Sequence, residues 1–262
     1  MKCKLCLKER ELKDSHIIPE FMYECSGLYD GKHRFTIVKR TDEGMGEFEL
    51  RQKGLKEKLL CGDCENRISK WEGYARWVIY SPGKSKQVKS VRTRVVLYEN
   101  VEYDKFKLFQ MSLLRRMSVS KLKQFSEVRL GRRHQETMRR MILDEDSGAE
   151  DDYGCFMTVI IFDPNNLASN EQLRRFWLSP RRVRTRDGHI CYTMFVGGFY
   201  YVFVISKHHI PREIRRLFVD RTNQLPILAA TPDEVPDIKG NLLTSLLHLR
   251  RWAGSHEFRF PS

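Results

Sequence analysis

Cys3-Lys4-Leu5-Cys6 opens the chain, and Leu59-Leu60-Cys61-Gly62-Asp63-Cys64 repeats the same cysteine spacing after a long interval. A Cys-x-x-Cys turn lets two thiolates reach one ion at about 2.3 Å, so two such turns supply the four sulfurs of a tetrahedral structural zinc site. Iron accepts the same all-sulfur set. The chain has seven cysteines, an odd number, and the paired spacing describes metal ligation better than a disulfide framework. Cys25, Cys155 and Cys191 stand outside any pair and read as ordinary thiols.

Between the two pairs lies Ser15-His16-Ile17-Ile18-Pro19. The short polar segment from Leu7 to Ser15 reads as a zinc knuckle leading into a strand that delivers His16, and Pro19 stops regular pairing. From Glu20 to Lys58 there are hairpin-like pieces, Arg34 to Lys39 and Glu47 to Arg51, separated by the turn signals Asp30-Gly31 and Gly44-Met45-Gly46. After Cys64, the residues Ile68, Trp71, Ala75, Val78 and Ile79 recur at helical spacing. Cys64 therefore begins a helix. Knuckle, hairpin, and a helix holding the last ligands in its first turn is the order of a treble-clef zinc fold, expected over residues 1–82.

Residues 83–262 read as a second unit of mixed α+β type, so the whole chain is α+β. Val88 to Tyr98 alternates as an edge strand would, Tyr103 to Phe125 and His134 to Leu143 read as amphipathic helices, and Asp144 to Asp152 as an acidic loop. Strands are expected at Phe156 to Phe162, Arg182 to Thr185, Ile190 to Phe195 and Phe199 to Ile205, with a closing helix at Leu242 to Trp252. The longest apolar stretch, Cys191 to Ile205, is too short to span a membrane and is split by Gly197-Gly198. The first residues carry no apolar signal segment, which points to the cytoplasm and away from the membrane.

Lys and Arg outnumber Asp and Glu by 47 to 34, a formal charge of +13. Such a balance favours polyanionic partners, nucleic acid first, through counterion release. Arginine recurs in pairs, among them Arg115-Arg116, Arg132-Arg133, Arg139-Arg140 and Arg174-Arg175. The bidentate guanidinium suits phosphate, and Arg181, Arg182 and Arg184, near Phe176 and Trp177, make the best candidate nucleic-acid contact. Homo-oligomer formation stays open.

Cys3-x2-Cys6, Ser15-His16-Ile17-Ile18-Pro19 and Leu59-Leu60-Cys61-x2-Cys64-Glu65-Asn66-Arg67 together resemble the HNH endonucleases, whose ββα-metal core carries a four-cysteine zinc. The resemblance covers about residues 1–80. It implies a metal-dependent endonuclease acting on DNA, less readily on RNA, in the setting of prokaryotic defence or a mobile element. His16 matches the histidine that deprotonates the attacking water. Glu65 and Asn66 occupy the region that binds a single catalytic divalent ion, Mg²⁺ or Mn²⁺. The chemistry asks for the same parts: phosphodiester hydrolysis needs a base and a cation to stabilise developing charge, and Asp14, Glu20, Glu57 and Asp63 are further hard ligands in this region. Two departures stand out. Ser15 replaces the family's metal-binding Asp, and no Asn lies between Cys6 and Cys64, where Glu57 stands near the place of the middle Asn. The alternative is a zinc-stabilised adaptor that binds nucleic acid or protein without catalysis.

Overall fold

The computed structural model describes residues 1–30, 32–39, 47–81, 86–90, 94–161, 174, 176–205, 210–235 and 238. The chain begins with strand β1 (Leu12–His16), a short helix α1 (Glu20–Glu24), strands β2 (Arg34–Lys39), β3 (Glu47–Gln52) and β4 (Lys56–Cys61), and helix α2 (Gly62–Tyr80). Strands β5 (Lys86–Ser90) and β6 (Val95–Glu99) follow, then helices α3 (Tyr103–Val119) and α4 (Gly131–Asp144). Strands β7 (Cys155–Ile160), β8 (Phe176–Arg184), β9 (Ile190–Val196), β10 (Phe199–Val204) and β11 (Gln224–Ala230) complete the order, with one helical turn at Arg212–Arg215. The fold is mixed α+β, with the paired cysteines near its start.

Strands β1 and β4 form a two-stranded antiparallel sheet of their own, and α2 starts directly from β4. Their register shifts between Lys13 and Asp14, so Leu59 has no partner across the ladder. A bulge of this kind breaks the alternation of faces. As a result Leu59, Leu60 and Cys61 are buried in succession, and the Leu60 amide donates to the Ser15 hydroxyl at 3.0 Å. Helix α2 buries Cys64, Ile68, Trp71, Ala75, Val78 and Ile79, the stripe that the sequence spacing describes.

The remaining strands form one nine-stranded sheet in the order β3-β2-β8-β9-β10-β7-β11-β6-β5. Two of its pairings are parallel, β2 with β8 and β7 with β11. The hairpin β2–β3 therefore carries part of residues 1–82 into the sheet built by the second half of the chain, and the sheet runs across the expected boundary. Cys191 to Ile205 forms β9 and β10 with the turn at Gly197-Gly198, both at positive φ. Side chains alternate across this hairpin. Tyr192, Met194, Val196, Tyr201 and Phe203 join a core that continues through α3 and α2 to Cys3, Cys61 and Cys64, while Cys191, Phe195, Tyr200, Val202 and Val204 pack with Ile210, Phe218 and Ile238 on the other face.

Several expectations are adjusted. Within the Val88 to Tyr98 stretch, β5 pairs antiparallel with β6, in place of one edge strand. The helix from Tyr103 stops at Val119, and Lys123–Phe125 is a separate 3-10 turn. Strand β8 begins at Phe176, ahead of the expected Arg182, and its bulge falls between Leu178 and Arg181, where Pro180 lacks an N–H for the ladder. Strand β11 was not anticipated. The expected helix from Leu242 to Trp252 lies outside the described residues, as do Arg175 and the pair Arg250-Arg251.

Candidate metal centre and the histidine beside it

The knuckle, the end of β4 and the first turn of α2 bring the Sγ atoms of Cys3, Cys6, Cys61 and Cys64 within 4.8 Å of one another. All four are free thiols, three of them buried. A tetrahedral ion with metal–sulfur bonds of about 2.3 Å has sulfur–sulfur edges of about 3.8 Å, and Cys6 Sγ lies 3.8 Å from Cys61 Sγ. The donor set thus fits a metal such as zinc. Burial pushes the Cys3 thiol up, but the backbone amides of Cys61, Cys6 and Leu5 outweigh it and bring Cys3 down to about 7. Burial raises the Cys6 thiol. Burial, then hydrogen bonding from the neighbouring sulfurs and the charge of Cys3, holds Cys64 well above the usual thiol range. A dication neutralises sulfurs crowded in this way.

Arginines from the helices grip the knuckle from behind. Arg115 donates to the Lys4 carbonyl at 2.9 Å and Arg139 to the Leu5 carbonyl at 2.9 Å. Arg10 forms a close ion pair with Asp63 across the two cysteine turns. Arg67 of α2 reaches the Leu143 carbonyl at the end of α4 at 2.8 Å.

His16 is the last residue of β1, with its side chain about one quarter exposed. Its carbonyl accepts from Arg116 at 2.7 Å, and Arg116 also forms a close pair with Glu72 of α2. Glu20 Oε2 stands 2.6 Å from His16 Nε2, yet off the ring's N–H direction, so Nε2 has no aligned hydrogen bond. Tyr29 donates its hydroxyl to the same carboxylate, 3.2 and 3.3 Å from its two oxygens. Gly54 closes the group, since a Cβ there would come within 2.9 Å of both His16 Cδ2 and Glu20 Oε2. Burial, then the charges of Lys56 and Arg116, lowers His16 to about 4.

The other expected site residues separate. One carboxylate oxygen of Glu65 is buried without a hydrogen-bond partner, on the turn of α2 that precedes Ile68 and Glu72. Asn66 is exposed, and its carbonyl accepts from Ser69. Asp14 pairs with Lys58 at 3.3 Å, and Glu57 accepts from the Ser120 hydroxyl at 2.8 Å and the Lys121 amide at 2.9 Å. Among the described residues, only the four cysteines form a group of three or more convergent Cys, His, Asp or Glu ligands. His16 and Glu20 are a pair without a third.

The arginines also divide. Arg115 and Arg116 are buried and structural. Across β9, Arg182 faces Tyr192 and Arg184 faces Ile190, whereas Arg181 faces Thr193. Strand alternation therefore puts Arg182 and Arg184 on one face of the sheet and Arg181 on the other. Sequence reasoning reads Arg116 as half of a phosphate-binding pair, whereas it holds the His16 carbonyl and Glu72; Tyr29 and Gly54 carry no motif. The signal for Arg116 was its place inside the apolar stripe of α3, beside Leu113, Leu114 and Met117. No protein-family model, curated protein or solved structure matches the chain. No helix among the described residues is long and apolar enough to cross a membrane.

Proposed function

We propose that this chain is a zinc-stabilised nuclease of HNH type, in which His16 takes the proton from the water that attacks a phosphodiester of DNA or, less readily, RNA. The observation that carries this reading is the position of His16. It ends β1 in a strand–strand–helix frame gathered around four cysteines, partly exposed, with its proton affinity lowered by burial and Nε2 against the Glu20 carboxylate. A neutral imidazole can accept a proton, and a positioned base contributes on the order of 10²-fold or more to such a reaction. Glu20, held in turn by the Tyr29 hydroxyl, stands beside the ring, and Arg116 holds its backbone. Treble-clef architecture and a structural zinc belong to the same proposal.

Mg²⁺ or Mn²⁺, when bound, would supply charge stabilisation at the phosphate and the leaving oxygen. Glu65, with one buried carboxylate oxygen that lacks a hydrogen-bond partner, is the residue that would hold such an ion. Mg²⁺ is commonly held by one or two carboxylates, water and substrate phosphate, so a preassembled cage is not required. Asn66, exposed on the helix, is the weaker candidate ligand. The scarcity of converging ligands favours a second reading, a zinc-held adaptor that binds nucleic acid without cutting it. Incubation with supercoiled plasmid, linear DNA and RNA, in Mg²⁺ or Mn²⁺ and in a chelator control, separates the two. Metal-dependent cleavage is expected of the nuclease; binding without cleavage on any substrate would leave the adaptor.

A further inference from the structure

We propose that the rim beside His16, formed by Tyr29, His33, Lys53 and Lys56, is a landing site for single-stranded nucleic acid, with the aromatic pair stacking a base and the lysines meeting its phosphates. The inference deepens the nuclease reading and rests on it for the role of His16. An aromatic series runs outward from the core here. Tyr23, fully buried, stacks on Tyr29 with ring centroids 5.3 Å apart and planes at 16°, and packs on Phe35 at 5.0 Å. Tyr29 is half-buried, and His33, exposed, meets it edge-on at 5.4 Å and 67°. The same Tyr29 donates its hydroxyl to Glu20, which touches His16. Rim and candidate base therefore share one carboxylate.

The backbone holds the rim in place against its own preference. His33 and Lys53 both sit at positive φ, 54° and 66°, in the left-handed region that side chains seldom adopt. They are tied to each other, since the Lys53 amide donates to the His33 carbonyl at 2.9 Å. Asp30 fixes the turn before them by accepting from the amides of Lys32 at 2.9 Å and Arg34 at 2.8 Å. Lys53 and Lys56 are exposed, and Lys56 is the cross-strand partner of His16.

An aromatic platform selects for strands whose bases are unstacked, because duplex base pairs hide their faces from side chains; stacking beside positive charge is the pattern of single-strand recognition. The test is fluorescence anisotropy with a short phosphorothioate oligonucleotide, resistant to cleavage, as a single strand and as a duplex. Single strand should bind more tightly. Tyr29→Leu and His33→Ala should each weaken single-strand binding on the order of tenfold, with duplex binding little changed. His33 is exposed, so His33→Ala reads the platform even where Tyr29→Leu fails to fold. Single-strand binding indifferent to His33→Ala and to loss of the Tyr29 ring, or tighter binding of duplex, would overturn the platform. Cleavage by the parent protein in that case would leave the role of His16 standing; absence of binding to any nucleic acid would remove both.

Discussion

His16 is governed by the groups around it more than by its own chemistry. Burial and the nearby cations of Lys56 and Arg116 depress its proton affinity, and Glu20 lies close without an aligned hydrogen bond. The consequence is a pH profile unlike that of an exposed histidine. A base must be unprotonated to act, so kcat/KM should stay nearly flat from pH 7 down to pH 5 if the free protein's His16 titrates at about 4. An ordinary histidine near 6.5 would lose about 25-fold over the same interval. Measured profiles with a midpoint near 6.5 would contradict the burial argument. Ser15 belongs to the same scale. Its hydroxyl is buried and accepts the Leu60 amide freed by the bulge, which explains why a hydroxyl stands where the resembling family carries a metal-binding acid.

At the scale of elements, α3 is the organiser. It packs against α2 and α4 and buries most of its surface, including Lys107, whose ammonium donates to the carbonyls of Glu150 at 2.7 Å and Ala149 at 3.3 Å. Burial lowers Lys107 to about 8 despite the acidic residues nearby. Between that value and 10.5 the unfolded chain holds more protons than the folded one, so this contribution to stability grows as pH rises and is lost as pH falls through the window. The difference amounts to something on the order of 3 kcal/mol. Urea unfolding at pH 8 and pH 10 should show this slope in the parent protein and lose it in Lys107→Met; equal slopes would show that the ammonium is better solvated than its burial implies. What the sequence disclosed at this scale was local. The cysteine turns, the stripe of α2 and the β9–β10 hairpin each depend on short-range spacing, and each is where it was expected. Strand β11 was hidden by Pro226, which argues against a central strand, yet Pro226 precedes Ile227, where pairing with β7 begins. The parallel pairing of β2 with β8 joins distant segments through backbone ladders, and no local pattern encodes it. The Arg115-Arg116 pair was visible as charge, while its burial depended on two helices meeting.

At the scale of the molecule, the cysteine-bearing unit is built into the larger sheet. One continuous apolar core runs from Cys3, Cys61 and Cys64 through α2 and α3 to β9 and β10, and Arg115, Arg116 and Arg139 tie the knuckle and the end of β1 to the helices. Under the proposed function, the formal charge of +13 would draw a polyanion, and the frame around the cysteines would fix where His16 meets it. These parts converge on His16. The most direct measurement is the single-turnover cleavage rate of His16→Ala beside the parent protein, with metal content determined on the same samples. The account predicts about one zinc per chain in both and a rate lower by on the order of 10²-fold in the variant. Equal rates at equal zinc content would contradict it.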